Sequence, residues 1–392
     1  MAKKIGVMVS GGEGYGLYKG FYTLHTLAKK AGYEVIAIPY GWRGLVAGWS
    51  SRLSTDFLKE HQKDDGSPII SCRDYNPHNW EECRLDLSPK AYEFYQALGL
   101  HALFYYGGDG SDRNALEFVR KYSDMNLIGI PCTIDGKEHS VSDYNEEVTG
   151  LCIGQGVAAS ATAASIHSCW KSGQSMGRFG VQETQGRNRA DLVLLGTLEA
   201  VLNGTKVAAV IAKDFNFHAE EISKILFDAF VRDEYPCLVV SESFVDSGVT
   251  YSAIHQKLTG AGEKAVSLIK PLFEQLCKAH YAFTPLHQVY VPPFKVVGFN
   301  YDPRSGSEQN HSTKAKKDRD VATLTTDYAF RFFLGGQRNF CVTVETDASC
   351  SWHSIESMVN AGNKKPNILK TPSTAIVYNE LRAHGVHIGD PA

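Results

Sequence analysis

The stretch FYYGGDGS, residues 104–111, decides the fold. An unbroken apolar run at 102–106 ends on Gly107 and Gly108, and Asp109, Gly110 and Ser111 follow. Apolar residues without alternation mark a strand buried on both faces, which belongs to a parallel sheet covered by helices. Two glycines at such a strand end let the backbone approach a phosphate chain closely. Asp109 then stands where a hard cation bridging phosphates would sit. The same residues also suit a plain Asp turn whose side chain caps the next helix.

Similar runs recur at 5–9, 34–38, 127–130, 207–211, 237–240, 296–299 and 341–344, many of them followed by turns and then by helical patterns. This predicts an α/β protein, doubly wound, with ligands bound beyond the carboxyl ends of the strands where strand order reverses. A chain of 392 residues is too long for one simple core and predicts two domains. Residues 154–170, rich in Ala and Ser, read as a closely packed helix, and 248–293 as mostly helical. The charge-dense run 314–319 reads as a solvated helix start.

Composition narrows the class. Hydrophobic residues make up 43% and charged residues 21%, as in an ordinary globular enzyme. A net charge of −3 gives no basic field for nucleic acid. The start MAKKIGVMVSGG is not a secretory signal, and no apolar run is long enough to span a bilayer. Nine cysteines, with no C-x-x-C pair and no zinc spacing, read as thiols of a reducing compartment. The expectation is a soluble cytoplasmic protein that binds neither nucleic acid nor membrane.

Two further motifs follow apolar runs. In SGGEGYG, residues 10–16, glycines can turn successive backbone N–H groups into one concavity that holds phosphate oxygens, or simply make a tight strand-to-helix turn. It is neither G-x-x-x-x-G-K-[ST] nor a full G-x-G-x-x-G. In PCTIDG, residues 131–136, Asp135 can accept a proton from an attacking hydroxyl and Thr133 can bond the same acceptor, or Asp135-Gly136 can be an ordinary turn. Arg73, Arg178, Arg187, Lys295 and Arg304 are candidate phosphate cations, since the guanidinium fork suits bidentate phosphate binding. Any single one reads rather as a surface charge and needs support from its position.

Taken together and in this order, the motifs resemble the ATP- and pyrophosphate-dependent 6-phosphofructokinase family, from residue 3 to about residue 344. The resemblance implies two interleaved, Rossmann-like domains with mostly parallel sheets. Residues 1–146 with about 299–350 would bind the donor, and 147–298 with about 351–392 the sugar phosphate. It implies transfer of a phosphoryl group from ATP to the 1-hydroxyl of fructose 6-phosphate with Mg2+, in a homodimer or homotetramer. Gly11, Arg73, Gly108, Gly110 and Ser111 would serve the donor and Asp109 the metal. Asp135 would be the base beside Thr133, with Arg187 stabilising charge. Arg178, Gly186, Glu242, Lys295 and Arg304 would serve the sugar phosphate, Arg178 by reaching into a neighbouring subunit.

The departures are specific. The family continues T-I-D-x-D, and here the second acid is Lys137. Glu13 replaces an aspartate, Tyr15 a proline and Tyr18 an asparagine. Asp302-Pro303-Arg304 does not reproduce the usual Q-R-G-G. Phe21 and His25 stand where bacterial members carry effector-binding arginines, so the usual effector control is not expected. Gly110 goes with ATP as donor, whereas Cys132 matches neither the glycine of ATP users nor the lysine of pyrophosphate users. A pyrophosphate-dependent or different-acceptor kinase, and a nucleotide-binding pseudo-enzyme, are the alternatives these changes leave.

Overall fold

A computed structural model describes residues 3–12, 14–72, 75–78, 85–134, 137–140, 147–150, 152–186, 190–244, 260–281, 290–298, 313–344, 349–362 and 372–391. The first part of the chain forms β1 (Lys3–Ser10), α1 (Leu17–Lys30), β2 (Tyr33–Ala37), α2 (Gly41–Ala47), α3 (Thr55–Glu60) and α4 (Ser88–Leu98). Then come β3 (Leu100–Gly107), α5 (Asp109–Lys121), β4 (Leu127–Pro131), the hairpin strands β5 (Lys137–Ser140) and β6 (Glu147–Gly150), and the long α6 (Gln155–Met176). The middle contains β7 (Phe179–Thr184), α7 (Asp191–Leu202), β8 (Val207–Ile211), α8 (Ala219–Val231), β9 (Cys237–Ser241), α9 (Ala261–Tyr281) and β10 (Phe294–Val297). The chain ends with α10 (Thr313–Leu334), β11 (Phe340–Val344), β12 (Cys350–Ser354), α11 (Ile355–Gly362), α12 (Pro372–Ala383) and β13 (His387–Ile388).

Two compact units result, Met1–Val157 with Arg304–Pro366, and Ala158–Pro303 with Asn367–Ala392. The first holds a six-stranded sheet ordered β12-β11-β4-β3-β1-β2. Its strands are parallel except β12, which runs antiparallel to β11. β12 and α11 belong to this unit. The second unit holds a parallel five-stranded sheet, β10-β7-β9-β8-β13.

The unalternated runs do bury both faces. Val7 and Val9 of β1 face the same way as Phe104 and Tyr106 of β3, against Phe21 and Leu24 of α1 and Phe330 of α10. Met8, Leu103 and Tyr105 face the other way, against Trp42, Tyr95, Phe118 and Met358. In the second unit Val210 and Val239 meet Ile166, Leu194 and Leu381, while Ile211 and Leu238 meet Leu226, Ile269 and Phe273. Phe21 stacks on Tyr106 at 5.2 Å between ring centres, and His25 is buried, with its pKa lowered to about 4 by that burial.

Side-chain amides tie the amino ends of the first sheet. Leu127 N–H donates to Asn339 Oδ1 at 2.9 Å, and Asn339 N–H donates to Asn126 Oδ1 at 3.2 Å. Asn339 holds a left-handed φ of 53°, a conformation asparagine tolerates better than most residues. The starts of β4 and β11 are thereby set against each other.

The run 314–319 is only partly solvated. Lys314, Lys316 and Lys317 are exposed, but Ala315 and Asp318 are buried. Asp318 accepts from Gly156 N–H at 3.0 Å and Val157 N–H at 2.9 Å, satisfying donors in the first turn of α6. Burial pushes the Asp318 pKa up to about 7, against the pull of the two amides and of Lys317 and Lys314. A carboxyl whose folded pKa lies above its unfolded value stabilises fully below the unfolded value and loses that contribution as pH rises through the folded one. Between pH 4 and 7 the protein should therefore lose stability relative to Asp318→Asn, by at most about 1.4 kcal/mol per pH unit. Urea unfolding of both proteins across that range checks this, and a pH-independent difference would refute it.

Candidate active site

Strand order in the first sheet reverses between β1 and β3: β2 lies beyond β1, and β4 lies beyond β3 on the other side. Ser10 pairs with Gly107, and Gly107 with Pro131, so three neighbouring parallel strands end level with one another. The SGG, GGDGS and TID motifs are the continuations of those three strands. Bringing them together needs no long-range coincidence, only adjacent strands and a common register.

The middle motif is locked by close approach. Ser111 is buried, and its hydroxyl donates to the Ser10 carbonyl oxygen at 2.8 Å, with Ser10 Oγ 2.9 Å away. A Cβ on Gly107 would stand 2.7 Å from that carbonyl and press on Ser111 Oγ. A Cβ on Gly108 would meet Thr133, 3.3 Å from its Cβ and 3.5 Å from its Oγ1. The second and third motifs thus touch through Gly108 and Thr133. At Gly110 nothing lies within 4 Å of an added Cβ. Gly108 is the N-cap of α5, so half-buried Asp109 occupies the first helical turn and not the cap. A carboxylate there is favoured by the helix dipole.

The first motif is held from a fourth segment, the one that leads to Arg73. Gly11 adopts a φ of 108°, its N–H donates to Cys72 O at 3.2 Å, and the Ser71 hydroxyl donates to Gly11 O at 2.6 Å. Ser10 and Cys72 form a parallel bridge, which brings the chain just before Arg73 to the end of β1. Cys132 N–H donates to Gly107 O at 3.1 Å, and a Cβ on Gly14 would stand 2.7 Å from Cys132 Sγ, so that buried side chain packs under the glycine loop. Ser71, two residues before Arg73, was the available signal, a small hydroxyl beside a candidate cation.

The second unit supplies its own cluster at the carboxyl ends of β7 and β9. Gly186, at a φ of 126°, donates its N–H to Glu242 Oε1 at 3.0 Å, and the Ser241 hydroxyl donates to Gly186 O at 3.2 Å. Glu183, buried on β7, accepts from Gly262 N–H at 2.6 Å. Burial raises the Glu183 pKa, opposed by that amide and aided by Glu263. Two expected cations lie apart from Gly186 and Glu242 within this unit. Arg178 precedes β7 at its amino end, with Nη2 donating to Ser172 Oγ at 3.0 Å. Lys295 is exposed on the edge strand β10, opposite Gly180. Arg73, Asp135, Arg187 and Arg304 lie outside the described residues, and Lys137 is described only as the first residue of β5, paired with Gly150.

Among the described residues no three His, Cys, Asp or Glu side chains gather as a metal cluster. Mg2+ bound to phosphates commonly takes only one or two carboxylates from the protein. Asp109, at the mouth of the glycine turns, fits that demand. No helix among the described residues is long and apolar enough to cross a membrane.

Comparison with known proteins agrees with this geometry. The family model described as Phosphofructokinase matches residues 4–272. The ATP-dependent 6-phosphofructokinase of Pediococcus pentosaceus is 29% identical over 255 residues, 65% of this chain and 73% of its own. The pyrophosphate–fructose 6-phosphate 1-phosphotransferase of Thermoproteus tenax is 30% identical over 268 residues, 68% of this chain and 74% of its own. The crystal structure of the pyrophosphate-dependent phosphofructokinase from Nitrosospira multiformis matches with a TM-score of 0.69, covering 100% of this chain and 94% of that one at 16% identity, a likeness of fold.

The glycines of GGDGS should behave oppositely when substituted. Gly107→Ala should destabilise by about 1–3 kcal/mol, because its methyl meets backbone that cannot yield. Gly110→Ala should change stability by less than about 0.5 kcal/mol or raise it, since alanine favours a helix and the space is open. Thermal unfolding of both variants checks this, and equal losses would contradict the packing described.

Proposed function

The chain belongs to the phosphofructokinase family, and from that premise we propose that it transfers the terminal phosphoryl group of ATP to the 1-hydroxyl of fructose 6-phosphate. The observation that carries the reading is that three neighbouring parallel strands end level at the switch point, with Gly108 of the middle loop against Thr133 of the third. Backbone N–H groups near Gly11, Gly108, Gly110 and Ser111 receive the donor phosphates. Asp109 holds Mg2+, which when bound neutralises charge on those phosphates. Asp135, two residues beyond Thr133, takes the proton of the attacking hydroxyl, and Arg73 and Arg187 stabilise charge on the group in transit. Catalysis of this kind is mainly positioning and electrostatics.

Glu242 orients the sugar, and its bond to Gly186 N–H supports this by fixing the carboxylate at the strand end. Arg304 attracts the sugar phosphate. Arg178, at the opposite end of β7, serves a neighbouring copy in a homodimer or homotetramer.

Open space at Gly110 supports ATP, because a nucleoside can approach there without meeting a side chain. Cys132 turned under Gly14 supports it too, since no cation at that position enters the donor site. Pyrophosphate is the second reading, favoured by the name of the Thermoproteus tenax relative.

A coupled assay with fructose 6-phosphate should give a higher kcat/KM for ATP than for pyrophosphate. Asp135→Asn should lower kcat by about 10²–10⁴-fold and leave ATP affinity nearly unchanged. Near-normal turnover in that variant would remove Asp135 as the base, and turnover with pyrophosphate alone would reverse the donor.

A further inference from the structure

Residues 14, 15 and 16 are each gripped by a different part of the first unit. A Cβ on Gly14 would stand 2.7 Å from Cys132 Sγ and 3.2 Å from the Ile153 carbonyl oxygen. One on Gly16, whose φ is 101°, would stand 2.9 Å from the Asp318 carbonyl oxygen. Between them Tyr15 is fully buried, although its side chain ends in a polar group. Its hydroxyl donates to the Lys63 carbonyl oxygen at 3.1 Å and accepts from Arg319 Nη1 at 2.7 Å. The Arg319 guanidinium carbon also lies 5.7 Å from the centre of the Tyr15 ring.

The polarity of this arrangement leaves no ambiguity. Arginine can only donate and a carbonyl oxygen can only accept, so the phenol proton has one position. A buried hydroxyl deprived of either partner carries a desolvation cost, which disfavours any other orientation of the ring. Tyr15 stands where the family resemblance expects proline. Proline restricts the backbone covalently. Here the restriction comes from outside, through a side chain anchored to α10 and to the chain near Lys63.

We propose that Tyr15 and Arg319 are positioning residues that hold residues 14–16, in the loop after β1, in the conformation that receives the donor phosphates. The proposal rests on the reading of this loop as the donor's seat. A loop ordered in advance costs less to organise on binding, so the clamp raises donor affinity. It does not touch the donor, and the acceptor does not depend on it.

The test uses Tyr15→Phe, which keeps the ring and removes the hydroxyl, Arg319→Met, the double variant, and Arg319→Lys, which keeps a donor. Amide hydrogen exchange over residues 14–17 should quicken about tenfold in either single variant, and in the double variant by clearly less than the product of the two, because both remove the Arg319–Tyr15 bond. Arg319→Lys should recover part of the protection. The dissociation constants for ATP and for pyrophosphate, measured by calorimetry, should rise about fivefold to tenfold, with the KM for fructose 6-phosphate unchanged. Unchanged exchange, additive losses in the double variant, or an equal rise in the acceptor KM would each overturn the clamp. Faster exchange with both donor affinities unmoved would overturn the assignment of the donor to this loop and leave the mechanical link standing.

Discussion

A strand buried on both faces has no water along its length. Its N–H and C=O groups must be paired within the sheet, and only its ends can offer backbone to anything else. The first unit is built on that constraint. Met8 and Val9, Leu103 and Phe104, and Leu127 and Ile128 point into opposite layers of core, and the glycine-bearing motifs lie in the loops that leave Ser10, Gly107 and Pro131. The second unit repeats the device, with Gly186 and Glu242 just past β7 and β9.

Much of this was legible because two-sided burial leaves a strong trace. Every apolar run overlaps a strand, and several of the glycines beyond them coincide with places where a Cβ would collide. Strands without such a run were less legible, among them β7, FGVQET, which reads as polar at its end yet buries Gln182, Glu183 and Thr184. Gln182 Nε2 donates to Glu183 O at 2.7 Å, Glu183 accepts from Gly262 N–H at 2.6 Å, and the Thr184 hydroxyl donates to Val240 O at 3.4 Å. Gly262 and Val240 lie far along the chain, so no local pattern announces them. Asp318 was illegible for the same reason. Three lysines around it suggest solvent, while its partners are amides of α6.

The candidate site divides the same way. Glycines and acids at strand ends could be read directly, since their chemistry is local. The groups that hold them could not. Ser111 bonds to the end of β1, Ser71 carries Gly11, and Cys132 lies under Gly14. These are small, ordinary residues whose role depends on which strand is next to which. Arg178 and Lys295 stand toward the amino end of β7, away from Gly186 and Glu242, a placement that only the strand register reveals.

The two asparagines at the opposite end of the first sheet gain meaning from this. Asn126 and Asn339 sit where β4 and β11 begin, at the end of the sheet opposite the SGG and GGDGS loops. Five-residue strands are stiff rulers: whatever sets their starting line also sets their finishing line. Sliding one neighbour by a single residue would swap its side chains between the two core layers and move one loop by about 3.3 Å relative to the next. The amides at the base therefore act as a vernier for the loops at the top, which makes the accuracy of the site a property of the whole sheet.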